Sequence, residues 1–294
     1  MRIVFLGLPL AALLLVADGH EVVLAGLRSG LTLGERRLRR TLGNARVLID
    51  PQEQWEAFVA LALELRADLL VSWFFTRRIP IELCQTCRLG GIGVHPSLLP
   101  RHRGPDPFFA AINAGDEETG VTAHRIEREY DTGAILGRRA LRIEPDWNAW
   151  DLARALDRPS LALLRQVVQR ASNGDPLEGE AQDEQEATLA PQPDEDSRVL
   201  VWDRPAEALV RRIRALAPCP GALAWVGETE IVVLKASVHR DVPQVLLPGE
   251  AAMVHGLAVV KAGDNGVALL EAEVGNQTIT GSDLAMLVAR AREK

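Results

Sequence analysis

The stretch GIGVHPSLLPRHRGPDP, residues 91 to 107, decides the fold of this 294-residue chain. Its glycines and prolines interrupt any helical pattern, so it is predicted to be a loop that continues a short strand at residues 90 to 94. The loop carries His95, Ser97 and two arginines. Polar residues gathered in a loop between regular elements more often form a site than a simple connection. The stretch is therefore the first candidate functional site.

A second candidate lies about one strand further along the chain. Glu129-Tyr130-Asp131-Thr132-Gly133 is a glycine-containing turn that follows a predicted strand at residues 121 to 126. Both turns adjoin strand ends. We therefore expect the imidazole of His95 and the carboxylate of Asp131 to face one cleft.

The residues before this loop predict an α/β domain. Short apolar runs at 2 to 7, 21 to 25, 47 to 49 and 68 to 75 alternate with helical patterns, which is typical of a parallel-rich sheet. The run DLLVSWFF at 68 to 75 is apolar on both faces and is placed at the centre of the sheet. The turn Gly7-Leu8-Pro9 lacks the Gly-x-Gly-x-x-Gly spacing, so no dinucleotide is indicated. Residues 147 to 171 predict one or two helices, with a break near Pro159.

The second half predicts a separate β domain. Residues 173 to 197 are rich in Asp, Glu, Gln and Pro and are interpreted as an acidic linker. A helix at 206 to 216 and about five short strands then suit a small OB-like β-barrel. The predicted domains are 1–172, 173–197 and 198–294.

Three motifs carry a resemblance to a known family. They are His95-Pro96-Ser97-Leu98-Leu99-Pro100, then Asp131-Thr132-Gly133, and the run RALAPCPGA at 214 to 222. Together they resemble the folate-dependent formyltransferases. The resemblance implies a Rossmann-like formyltransferase domain, 10-formyltetrahydrofolate as co-substrate and His95 and Asp131 as catalytic residues. It also implies a folate pocket that includes Arg77, Arg78, Ile79, Gly93, Ser97 and Leu98.

Gly93 departs from the family pattern, because formyltransferases usually have Asn two residues before the histidine. That amide would help to stabilise the oxyanion, and losing one such donor typically costs about a hundredfold to a thousandfold in rate. Three interpretations remain open. The site is weak or inactive, another group such as Ser72, His124 or water replaces the amide, or the reaction differs. Structural and site roles are equally indicated for His124.

The acceptor also stays open. The methionyl-tRNA formyltransferases have this two-domain layout, which implies initiator methionyl-tRNA as the acceptor, bound by the C-terminal domain and by Arg36, Arg37, Arg39 and Arg40. A basic run of this kind is more often a solvated helix face. The acidic linker and the shortness of the basic run instead favour a small amine, such as an amino sugar, an amino acid or a peptide intermediate. The net charge of −7 argues against a protein that coats itself in nucleic acid. The third interpretation is a paralogue that binds folate or RNA without catalysis.

Other features carry little function. Cys84 and Cys87 have the spacing of a redox or zinc motif, but no second pair follows, so both are interpreted as core residues. No feature indicates a metal, flavin or nicotinamide. The apolar run at 8 to 16 is too short to cross a bilayer, and a cytoplasmic enzyme is expected. His102 is predicted to face solvent.

Overall fold

The computed structural model of the chain describes residues 1–30, 33–275 and 277–292; residues 276, 293 and 294 of the predicted C-terminal domain lie outside it. The described chain divides into two compact units. The first comprises the described residues of Met1–Pro105, Thr119–Leu141 and Ala155–Leu189, and the second comprises Asp106–Glu118, Arg142–Arg154 and the described residues of Ala190–Lys294. The domain boundaries at 172 and 197 stay a prediction.

A seven-stranded sheet organises the first half of the chain. Its strands are β1 (Arg2–Gly7), β2 (Glu21–Leu27), β3 (Val47–Ile49), β4 (Leu69–Trp73), β5 (Gly91–His95), β6 (Glu118–Arg125) and β7 (Ile135–Arg142). Their order is β3-β2-β1-β4-β5-β6-β7. The first five strands pair in parallel, whereas β5 and β6 are antiparallel. The predicted parallel-rich α/β architecture is confirmed.

The centre of this sheet follows from its composition. All five residues of β4 are buried, as expected for a strand covered on both faces, and β4 lies between β1 and β5. At the carboxyl end of β1, the chain makes a close approach that only glycine permits. A Cβ atom at Gly7 would lie 1.8 Å from the carbonyl oxygen of Trp73, and its φ is +133°. This contact fixes the turn into the first helix.

Nine helices occur in the described ranges. They are α1 (Pro9–Ala17), α2 (Glu35–Leu42), α3 (Trp55–Glu64), α4 (Ile81–Gln85), α5 (Pro107–Ala114), α6 (Ala149–Ser172), α7 (Glu195–Arg198), α8 (Ala206–Leu216) and α9 (Gly281–Arg292). None of them is long and apolar enough to cross a membrane.

The helix break predicted near Pro159 is wrong, because α6 is continuous through that residue. Proline costs about 3 kcal/mol within a helix since it removes one backbone hydrogen bond and crowds the preceding turn. Leu156, Leu163 and Leu164, on both sides of the proline, are each at most 3% exposed. Burial of these side chains outweighs the local cost.

The second unit contains an antiparallel sheet. Its strands are β8 (Ala222–Val226), β9 (Thr229–His239), β10 (Ala251–Val254), β11 (Leu257–Lys261), β12 (Gly266–Val274) and β13 (Gln277–Thr280). The order is β10-β11-β12-β9-β8, and β13 pairs with β12. Helix α8 buries Leu209, Ile213 and Leu216 in the core of this unit. The separate β domain is confirmed, and its closure into an OB-like barrel stays a prediction.

Candidate active site

His95, the last residue of β5, is held in one orientation by the loop that follows it. Its Nε2 atom lies 2.8 Å from the carbonyl oxygen of His102. A carbonyl oxygen only accepts hydrogen bonds, so Nε2 carries the hydrogen and donates it. The Nδ1 atom then points the other way, to a carboxylate oxygen of Asp131 at 3.4 Å. The structure thus brings together the two residues predicted to be catalytic.

Asp131 occupies the turn after β6 in a left-handed conformation, with φ of +56°. Its side chain is 16% exposed. The Oδ2 atom that faces His95 also accepts a hydrogen bond of 2.9 Å from the backbone N–H of Gly104. The predicted loop and the predicted turn are therefore joined through this one carboxylate.

His124 is a third member of the cluster. Its Nε2 atom lies 3.5 Å from Oδ1 of Asp131, the oxygen that does not face His95. Its Nδ1 atom donates to the carbonyl oxygen of Arg125 at 2.8 Å, by the same argument that fixes His95. Both imidazoles therefore direct their remaining nitrogen at the carboxylate.

Burial controls the charge of His124. Desolvation lowers the pKa of its imidazole most strongly; the Asp131 carboxylate raises this pKa, and the neighbouring His95 and Arg103 lower it further. The ring is therefore predominantly neutral near pH 7, with a lone pair on Nε2. A neutral imidazole beside a carboxylate can take up a proton and return it.

A segment of the predicted linker contacts both the His95 loop and the Asp131 turn. The side-chain amide of Gln182 donates two hydrogen bonds of 2.7 Å, to the carbonyl oxygens of Asp131 and Gly133. Its oxygen accepts from the guanidinium of Arg103 at 2.7 and 3.0 Å. Glu184 accepts two more hydrogen bonds from that guanidinium, from Nη2 at 2.8 Å and from Nη1 at 2.9 Å. The segment is thus part of the frame that holds the Asp131 turn.

The backbone of the same segment extends these contacts. Thr188 accepts a hydrogen bond of 2.8 Å from the backbone N–H of His102 through its hydroxyl, and another of 2.8 Å from Arg103 through its carbonyl. Leu189 and Arg103 also form a single parallel β-bridge. The exposure predicted for His102 is wrong, since it is only 6% exposed. Its main chain is held between His95 and Thr188.

The other residues of the catalytic loop have mainly structural contacts. Ser97 is fully buried, and its hydroxyl donates to the carbonyl oxygen of Arg101 at 2.6 Å. Its own carbonyl accepts from the Thr122 hydroxyl at 2.7 Å. Leu98 is half-buried beside Gly120, where a Cβ atom would come within 2.6 Å of the leucine side chain. These contacts fix the loop, and a folate contact of Ser97 or Leu98 stays a prediction.

Arg77, Arg78 and Ile79 follow β4 in an irregular segment. Both arginines are exposed, and the guanidinium of Arg78 donates to the carbonyl oxygen of Arg128 at 2.9 Å. Ile79 instead packs against the core of the first unit. The segment leaves the carboxyl end of a central parallel strand, where ligands of open α/β sheets bind. Its role in folate binding stays a prediction.

The predicted basic run forms α2. Arg36, Arg37 and Arg40 are exposed, whereas Arg39 pairs with Glu35 at 2.9 Å and donates to the Val47 carbonyl. Three of the four arginines thus point into solvent, and one is used to hold the helix.

The Cys84 and Cys87 thiols lie in the core. Burial raises the pKa of Cys84 to about 12 and that of Cys87 to about 11. Within the described residues, no group of three or more His, Cys, Asp or Glu side chains is arranged to hold a metal ion.

Comparison with known proteins shows the family of this chain. The family model described as Formyl transferase matches residues 42–168. A second family model, described as Formyl transferase, C-terminal domain, matches residues 194–287. The chain is also 32% identical over 285 residues to methionyl-tRNA formyltransferase of Bacillus licheniformis, an alignment that covers 93% of this chain and 90% of that protein. The chain therefore belongs to the formyl transferase family, and the predicted family and enzyme class are confirmed.

Solved structures share the fold. HypX from Aquifex aeolicus in complex with tetrahydrofolic acid matches with a TM-score of 0.66 and 19% identity, over 99% of this chain and 47% of that one. This chain thus spans about half the length of HypX. An N-formyltransferase from Helicobacter canadensis in complex with folinic acid and dTDP-3-aminofucose matches with a TM-score of 0.69 and 15% identity, over 92% and 98% of the two chains.

Proposed function

We propose that this enzyme transfers a formyl group from 10-formyltetrahydrofolate to an amine, with His95 and Asp131 as the catalytic pair. The observation that carries the proposal is the orientation of His95. One ring nitrogen is tied to a backbone carbonyl and the other lies 3.4 Å from Asp131, within a chain of the formyl transferase family. A folate donor is supported by the folate ligands named for the two structures of this fold.

The pair suits the chemistry of acyl transfer. The acceptor nitrogen attacks the formyl carbon, the C=O oxygen becomes an oxyanion, and the bond from carbon to the folate N10 then breaks. In total, the acceptor nitrogen loses one proton and N10 gains one. A proton on Nδ1 of His95, held beside the Asp131 carboxylate, supplies positive charge near the oxyanion and can be given to N10. The Gly104 N–H keeps the carboxylate in place.

Initiator methionyl-tRNA is the acceptor that we favour. The Bacillus licheniformis relative, which aligns over nearly the whole chain, is a methionyl-tRNA formyltransferase. Arg36, Arg37 and Arg40 are exposed on one short helix and provide positive charge for the phosphate backbone. The C-terminal domain offers a second surface for the same partner.

A small amine is the second candidate. The segment that closes over the His95 and Asp131 loops is acidic, and its Glu184 side chain is 70% exposed. Exposed carboxylates next to the site would repel a phosphate backbone but would not repel an uncharged or cationic amine.

A binding measurement separates the two acceptors. The Kd for initiator methionyl-tRNA is measured against salt for the full chain, for Arg36→Ala with Arg37→Ala, and for the control Arg66→Ala with Arg158→Ala, which removes the same charge from exposed positions elsewhere. A tRNA enzyme should bind with a steep salt dependence, and the first double variant should lower the slope of log K against log salt by about 2. Equal behaviour of both double variants would reject the basic helix as a tRNA contact. Binding that salt does not change would favour the small amine.

A further inference from the structure

A gap lies beside the catalytic pair where β5 carries Gly93. The backbone register places Gly93 opposite Ser72 of β4 and opposite His124 of β6. Residues paired across neighbouring strands direct their side chains to the same face of the sheet. His95, two residues after Gly93, shares this face as well. The glycine therefore leaves an opening in a row of polar side chains next to His95.

His124, and not Ser72, fills this opening. A Cβ atom at position 93 would lie 3.3 Å from Nε2 and 3.6 Å from Cε1 of His124, and its third neighbour is Ile126 at 3.8 Å. The first of these distances is tighter than an ordinary van der Waals contact, so even a methyl group would press on the imidazole. The observed position of the His124 imidazole therefore requires a residue without a side chain at position 93.

The hydrogen bonds of His124 leave Nε2 as the ring nitrogen that can accept a proton. Nδ1 donates to the carbonyl oxygen of Arg125, so the neutral ring has its lone pair on Nε2. The side chain is 8% exposed, and Nε2 is 3.5 Å from Oδ1 of Asp131. The charged groups that act on the ring are Asp131, His95 and Arg103. A single proton placed on Nε2 would be stabilised by the carboxylate beside it.

We propose that His124 occupies the space left by the side chain missing at position 93, and that its Nε2 receives the proton that the acceptor amine loses. This inference rests on the proposed formyl transfer. It assigns to His124 direct contact with the acceptor nitrogen, on the side of Asp131 opposite to His95.

Every proton that moves in this mechanism is supplied and taken up by the cluster of His95, Asp131 and His124 together with the two reactants. As the bond between the acceptor nitrogen and the formyl carbon forms, one N–H proton passes to Nε2 of His124. As the bond from that carbon to N10 breaks, its electron pair stays on N10, which takes the proton from Nδ1 of His95. The proton on His124 then passes over the Asp131 carboxylate to Nδ1 of His95, and the cluster regains its starting state. No further reactant is needed.

The first test removes the proton acceptor. His124→Gln keeps an amide that can bond to Arg125 but cannot take up a proton, and kcat should fall by about a hundredfold or more while KM for the folate stays nearly constant. In His124→Ala, added imidazole should restore part of kcat, which a purely structural role would not allow. His20→Gln is the matched control, since His20 is a buried histidine, 7% exposed, outside the site. It should leave the rate unchanged.

The second test uses the limited space between position 93 and the imidazole of His124. Gly93→Asn should lower the rate of the otherwise unmodified enzyme, because the new side chain displaces the imidazole. In the His124→Ala background the same change should raise the rate, because space for the amide is then available. Circular dichroism of each variant separates loss of folding from loss of chemistry.

The outcomes distinguish this inference from formyl transfer itself. If His124→Gln keeps a rate within about threefold of the unmodified enzyme while His95→Ala is inactive, the role of His124 is overturned and formyl transfer stands. Absence of imidazole rescue in a folded His124→Ala would equally overturn it. If the unmodified enzyme shows no turnover with any amine, both proposals fall.

Discussion

Gln182→Met is the perturbation that most sharply tests how the site is held. Methionine has nearly the shape of glutamine but makes none of its hydrogen bonds. The change therefore removes two bonds to the turn carbonyls and two from the Arg103 guanidinium, for which Glu184 is the remaining side-chain partner among the described contacts. Neutral hydrogen bonds contribute about 1 kcal/mol each and charged ones about 2 kcal/mol, less where solvent reaches them, so we expect a loss of about 3 kcal/mol.

The effect on activity follows from the same contacts. Asp131 has a left-handed backbone at φ of +56°, and Gln182 bonds to the carbonyl oxygens of Asp131 and Gly133 in this turn. Without this support the carboxylate loses its fixed distance to His95, and a displacement of about 1 Å can reduce a rate by about a hundredfold. We expect kcat to fall by about tenfold to a hundredfold, with Tm lowered by roughly 6 to 10 °C.

The control is Gln185→Met, three residues further along. Gln185 is exposed and, within the described contacts, only its backbone N–H is bonded, to Asp183. The assays are thermal unfolding followed by circular dichroism and the rate of tetrahydrofolate release. If Gln182→Met and Gln185→Met behave alike in both assays, the segment is a linker that happens to lie near the site, and the reasoning about the contacts of Gln182 is refuted.

Further predictions concern the rest of the first unit and one exposed thiol. Gly7→Ala should destabilise the protein by more than about 3 kcal/mol in urea unfolding, because its Cβ would overlap a backbone oxygen at 1.8 Å; stability close to that of the unmodified protein would contradict this close approach of the two chain segments. Iodoacetamide should modify one thiol of the native protein, the exposed Cys219, and all three after unfolding, because burial raises the pKa of Cys84 and Cys87 and only thiolates react; mass spectrometry of labelled peptides checks this. Burial lowers the pKa of His20 below 6.5, so the unfolded chain binds more protons and stability should fall as pH drops below that value. Over this pH range the Tm of His20→Gln should therefore fall less than the Tm of the unmodified protein. An equal fall in both would contradict the lowered pKa of His20.

Local patterns predicted the regular elements well, because burial and periodicity are local properties. The apolar run at β4 indicated a central strand, and the helix at 206 to 216 was predicted with the bounds that the structure has. Pro159 misled the prediction, since its local cost is offset by packing that a single sequence does not display. His102 misled it as well. Its polar neighbourhood suggested solvent, but its backbone is held by distant residues.

The site was predictable only in part. His95 and Asp131 were found because each lies in a turn with a recognisable motif, and the structure places them 3.4 Å apart. The contacts of Gln182 could not have been found this way. Gln182 is separated from Arg103 by 79 residues and lies in a polar stretch whose composition is typical of linkers. The choice of His124 over Ser72 beside Gly93 also required the three-dimensional distances.

The account is tested most directly by release of tetrahydrofolate from 10-formyltetrahydrofolate. The full chain, His95→Ala and Asp131→Asn are compared with initiator methionyl-tRNA and with small amines as acceptors. We predict release by the unmodified enzyme that depends on one acceptor, and a loss of at least about a hundredfold in both variants. Near-normal release by either variant, or no release with any acceptor beside an active control formyltransferase, would contradict the assignment of His95 and Asp131 as the catalytic pair.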